Sequence, residues 1–88
     1  MLELLVKVEV VQPMRTFNSS NGENVSALDL EVTKGRDRFV VTAFDKTALQ
    51  LKEQNPIVGA YYWAEISFSV SGTEKRFLSA RLVSLSEF

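Results

Sequence analysis

The sequence predicts an all-β domain in which five strands curl into a small Greek-key barrel, with one short helix between strands three and four. Three observations carry this. Apolar residues recur with period two along most of the chain, which is the strand period. The one clearly helix-prone run, KTALQLKEQ, falls after the third alternating segment. And 88 residues suffice for a single core, so the whole chain, residues 1–88, is expected to be one domain. Five half-buried strands in so short a chain must close on themselves or leave apolar faces wet.

Strand one alternates Leu4, Val6, Val8 and Val10 with Glu3, Leu5, Lys7 and Glu9, and ends at Pro13, which has no amide hydrogen for a ladder. PMRTFNSSNGEN is rich in Asn, Ser and Gly and reads as a loop. Strand two, SALDLEVT, points Leu28, Leu30 and Val32 inward and Ala27, Asp29, Glu31 and Thr33 outward. KGRD is a tight reversal into strand three, RFVVTAF. A turn centred on Gly35–Arg36 sets Val32 opposite Phe39 and Leu30 opposite Val41. Phe39, Val41 and Ala43 then face the core, and Arg38, Val40, Thr42 and Phe44 face out. The charge on Arg38 favours this parity, because a lone core arginine is costly. It also places Arg38 diagonal to Glu31, within reach of an ion pair.

Asp45 fits a helix N-cap, and the helix is expected to stop near Asn55-Pro56. Strand four, IVGAYYWAEISFSV, sets Tyr62, Ala64, Ile66, Phe68 and Val70 against Tyr61, Trp63 and Glu65. Phe39, Tyr62 and Phe68 are expected in the core. SGTEK is a loop, and RFLSARLVSL is strand five. A five-stranded Greek-key barrel plugged by one helix is the OB-fold. Its usual ligand surface is the outer face of strands two and three with the flanking loops.

Composition narrows the chemistry. The chain has no histidine and no cysteine, which removes imidazole acid–base work, Ser-His and Cys-His nucleophiles, disulfides and thiolate metal sites. Asp29 and Glu31 are the only close carboxylate pair within a clear strand and read as surface. No phosphate-loop, dinucleotide or calcium-loop pattern occurs. No catalytic residue, cofactor or metal is expected, and the chain is not read as an enzyme. No apolar run approaches a membrane span, and the first residues lack a signal-peptide pattern, so a cytoplasmic, non-membrane protein is expected. The net charge of −1 argues against a uniformly basic nucleic-acid binder but leaves room for a basic face.

The residues also resemble a known family. NSSNGENVSALDLEV is similar to the Ser/Gly loop and second strand of bacterial-type single-stranded-DNA-binding proteins, SSB and its primosomal PriB-like relatives. RFVVTAFDKTALQL resembles their aromatic–valine strand running into a short helix. VGAYYWAEISF and KRFLSARLVSL resemble their last two strands. Together these stretches cover nearly the whole chain. The small single-stranded-DNA-binding proteins of filamentous phages are a second resemblance, through VGAYYWAEISFSV and RFLSARLVSL, although they generally lack the helix. The resemblance implies that Phe44 holds the base-stacking position and that Trp63 lies on a subunit-contact side. The sequence lacks a long acidic-tipped tail, so a phage- or plasmid-encoded protein, or an accessory one, is the expected kind.

Single strands are held by cations that follow phosphates and by aromatic faces that stack on bases. The candidate nucleic-acid-binding residues are Arg15 and Phe17 in the first loop, Lys34, Arg36, Arg38, Phe44 and Lys46 around strand three, and Lys75 and Arg76 beside the last loop. Leu5, Val11 and Trp63 are the candidate contacts of a homo-oligomer, a dimer or larger. The expected function is sequence-tolerant binding of single-stranded DNA in replication or recombination. The alternative is an OB-fold module whose outer face docks a replication protein, a reading favoured by outward Asp29 and Glu31.

Overall fold

The computed structural model describes residues 1–71 and 77–88, with side chains described for residues 1–68 and 80–88. Its elements are β1 (Leu2–Val11), β2 (Arg15–Asn18), β3 (Asn24–Lys34), β4 (Asp37–Phe44), α1 (Asp45–Gln54), β5 (Tyr61–Ser71) and β6 (Phe77–Glu87). The strands form one sheet in the order β1-β5-β6-β4-β3-β2, and β1 also pairs with β3. That extra pairing closes β1, β5, β6, β4 and β3 into a ring. All these pairings are antiparallel except β4 with β6, which is parallel and made through Thr42 and Arg81.

The core fills the ring. Val6, Val8, Leu30, Val32, Val41, Ala43 and Ile66 are fully buried, so the inward sets expected from strands two and three are the ones that pack. The β3–β4 hairpin has the expected register, with Val32 opposite Phe39 and Leu30 opposite Val41. Gly35 sits at φ 62 in its turn, where any side chain would be strained. α1 covers one end of the ring and buries Ala48 and Leu51. It ends at Asn55 in the left-handed region, whose N–H donates to the Leu51 carbonyl.

Five details differ from the sequence expectation. First, the described residues form six strands: Arg15–Asn18 leaves the expected loop to pair with Asn24–Ala27, closed by a turn in which Gly22 has φ 80. This is a hairpin outside the ring. Second, β1 carries a bulge between Val8 and Val10. Val8 faces Val32 and Val11 faces Leu30, both inward, whereas Val10 faces Glu31 on the outside. One extra residue in the strand inverts the parity beyond it. Val11 therefore packs against the core and is not an outward contact, contrary to its expected place in an oligomer interface.

Third, Asp45 is not the helix cap. The N-cap position is Phe44 and no side chain caps it; Asp45 sits at φ 48 and its Oδ1 accepts the Ser26 N–H at 3.2 Å. The carboxylate ties the strand–helix joint back to β3. Fourth, the strand-four segment begins at Tyr61, because Ile57–Ala60 make a turn in which Gly59, at φ 92, donates its N–H to the Val8 carbonyl. Fifth, Phe68 is 41% exposed and is not core. Its parity is inward, but it lies where β5 runs past the ring. There it lines, with Leu4, Phe39 and Ala80, a groove of about 420 Å3 at the end opposite α1.

Candidate nucleic-acid interface

The candidate interface is the outer face of the β2–β3–β4 ladder. Residues directly opposite in a ladder share a face, so register alone assigns the side chains. Arg15 lies opposite Ala27, and Ala27 opposite Phe44, giving one row across three strands. Phe17 lies opposite Val25 at the next outward position. In the other direction come the pairs Asp29–Thr42, Glu31–Val40 and Thr33–Arg38. Arg81 joins the Asp29–Thr42 row from β6. Two arginines, two phenylalanines and two carboxylates expected from sequence thus share this face, with one further arginine.

Each phenylalanine carries a guanidinium. Arg15 stands 5.4 Å from the Phe17 ring centroid, and Arg81 stands 5.5 Å from that of Phe44. At these distances the ring quadrupole attracts the cation. Phe44 is half-buried and Phe17 exposed, so both rings keep surface toward solvent. From strand spacing and rise, their backbones are roughly 12 Å apart.

The carboxylates are bound within the face. Asp29 accepts from Thr42 Oγ1 at 2.6 Å through Oδ1 and meets Arg15 Nε at 3.4 Å through Oδ2. Glu31 accepts from Arg38 at 3.2 Å through Oε1 and from Gln12 Nε2 at 3.2 Å through Oε2. The cross-strand pair expected between Glu31 and Arg38 is present. Both arginines lie about half exposed, at 54% of their side-chain surface. They hold fixed positions while remaining open to a ligand. The same pairing offsets part of their charge, because each already faces an anion.

The remaining candidates distribute unevenly. Lys46 follows the Phe44 joint and is exposed. Lys34 and Arg36 lie at the β3–β4 turn, seven ladder positions from Phe44 by the register of that hairpin, roughly 24 Å along the strand. Lys34, opposite Asp37, has the inward parity of Val32 and Phe39 and lines the groove with Phe39 and Phe68, so neither it nor Arg36 in the turn converges on the rings. Lys75 and Arg76 lie outside the described residues. Sequence reasoning missed Arg81 as a site residue. Alternation in RFLSARLVSL only separates it from Ala80 and Leu82; the parallel joint to Thr42 is what brings it beside Phe44.

A second exposed surface lies on the opposite side of the ring. Leu5 is the ladder partner of Trp63, and Lys7 that of Tyr61. Tyr61, Trp63 and Phe88 are exposed, and the Trp63 and Phe88 rings are 6.4 Å apart and tilted at 57°. This is the side assigned to oligomer contact, with Leu5 and Trp63 on it and Val11 off it. Among the described residues, no group of three or more acidic, histidine or cysteine side chains could hold a metal, and no helix is long and apolar enough to cross a membrane. No protein-family model, no curated protein and no solved structure matches the chain.

Proposed function

We propose that this chain is an OB-fold protein that binds single-stranded DNA with little regard to sequence, without catalysis, as a homo-oligomer serving replication or recombination. The observation that carries this reading is the pair of arginine-capped phenylalanines, Arg15 on Phe17 and Arg81 on Phe44, side by side on one sheet face. Aromatic planes accept any base, and adjacent cations meet the phosphates that join them. The ring order supports the fold assignment. A five-stranded closure with one parallel joint, and a helix between its third and fourth strands, agrees with an OB barrel whose second and third strands bear the ligand. The Leu5–Trp63 side supports self-association away from that face.

The test is a fluorescence-polarisation titration of end-labelled oligo-dT, duplex DNA and RNA with the protein. Saturable binding of the single strand, weakened by Phe44→Ala, is the expected result. A second reading is favoured by Asp29 and Glu31, which occupy Arg15 and Arg38: the face docks a protein instead. Lack of retention on single-stranded-DNA resin would select it.

A further inference from the structure

We propose that this face distinguishes bases, preferring those that carry an exocyclic amino group over thymine and uracil. The inference deepens the single-strand reading and rests on it. Its source is the row Asp29–Thr42–Arg81, one outward position along from Phe44. A base stacked at Phe44 lies with its edge over that row, because diagonal neighbours on one sheet face are roughly 7–8 Å apart. The row offers an acceptor and a donor in fixed positions. The Thr42 hydroxyl donates to Asp29 Oδ1 at 2.6 Å and Arg15 Nε meets Oδ2 at 3.4 Å, so both carboxylate oxygens are oriented by partners. Its side chain stays 23% exposed, which leaves lone pairs for a ligand. Arg81 is exposed, and among the described residues no carboxylate forms an ion pair with it.

Cytosine presents an amino donor next to a ring-nitrogen acceptor, and adenine does the same. Guanine presents a carbonyl acceptor beside two donors. Each can meet a carboxylate and a guanidinium together. Thymine and uracil present one N–H between two carbonyls, so one carbonyl is set against the Asp29 carboxylate. Carboxylates accepting from the cytosine amino group are a known direct-readout pairing, and one such contact at the weak end of its range is about fivefold in affinity. A surface that only stacks has no such term. Its modest preferences follow stacking strength and strand flexibility.

The decisive comparison uses oligo-dC and oligo-dU of equal length, titrated at slightly alkaline pH against the full chain and against Asp29→Asn. These two bases have the same size and differ only along the edge in question. The expected result is oligo-dC bound about fivefold or more tightly by the natural chain, with the ratio falling toward one in Asp29→Asn. The asparagine presents a donor as well as an acceptor, and circular dichroism verifies that the variant keeps its fold. Tight binding of both oligonucleotides at equal affinity, or a ratio that Asp29→Asn leaves unchanged, overturns this proposal alone. No binding of either one overturns the single-strand reading and this proposal with it.

Discussion

The guanidinium of Arg81 rests over the ring of Phe44, 5.5 Å from its centroid, although among the described residues their two strands share a single ladder pairing, the parallel joint of Thr42 and Arg81. The contact makes Phe44 part of a cationic platform. Phe44→Ala is expected to weaken binding of oligo-dT by roughly 5- to 150-fold, the range of 1–3 kcal/mol that base–aromatic stacking supplies. Phe44→Trp keeps a plane and retains most of the affinity. Fluorescence titration of both variants measures this, and equal losses in the two would sink the stacking role.

Salt should matter only moderately. Each phosphate contact by a free cation adds about one to the slope of log affinity against log salt. Arg15 and Arg38 already face Asp29 and Glu31, so their binding releases fewer counterions. Glu31→Gln frees Arg38, and the expected outcome is tighter binding at low salt with a steeper slope, by up to about one. Titrations at several salt concentrations measure it; an unchanged slope would mean that Arg38 meets no phosphate.

The bulge in β1 gives a stability test. Val11 faces Leu30 inside, and Val10 faces Glu31 outside. Val11→Ala is expected to destabilise the fold by about 1 kcal/mol, from two partly buried methyl groups packed against the core, and Val10→Ala by less. Urea denaturation of the two variants compares them directly. The reverse order would restore the unbroken alternation read from sequence.

Asp45 joins two requirements in one residue, a left-handed backbone at φ 48 and a carboxylate that accepts the Ser26 N–H. Asp45→Asn meets both and should be nearly neutral. Asp45→Ala meets neither and should cost about 1–2 kcal/mol. Thermal or urea unfolding separates these outcomes, and identical stabilities would show that the joint is held by packing alone.

Self-association is tested on the far side of the ring. Leu5→Glu places a charge opposite Trp63 without touching the core or the β2–β4 face. Analytical ultracentrifugation should show a shift from oligomer to monomer. A natural chain that sediments as a monomer at high concentration would remove the homo-oligomer from the proposal.

The sheet parity around the β3–β4 hairpin was legible because local rules decide it. Gly35 marks the turn, Arg38 excludes one of the two faces, and the remaining side chains follow by alternation. The outward Phe44 and the Arg38–Glu31 pair came with it. Other features depend on contacts that alternation does not encode. The bulge between Val8 and Val10 leaves no mark in VKVEVV, where alternation simply continues, so Val11 looked exposed. Arg15–Asn18 is polar enough to read as loop, and only its partner Asn24–Ala27 makes it a strand. Phe68 has an inward parity, but its neighbourhood depends on where the ring ends. Arg81 joins the candidate face through a pairing between distant parts of the chain.

That same pairing has a mechanical meaning. Among the described residues, Thr42 with Arg81 is the only ladder contact between β4 and β6, so the cylinder of strands has a thin seam there. Phe44 stands on one lip and Arg81 on the other. A strand of nucleic acid lying over both would act as a clasp across the weakest join, and by mass action it would hold the closed form against unfolding. The place where the wall is easiest to part is then also the place a ligand would fasten, and hydrogen exchange at Thr42 would report how tightly it is drawn shut.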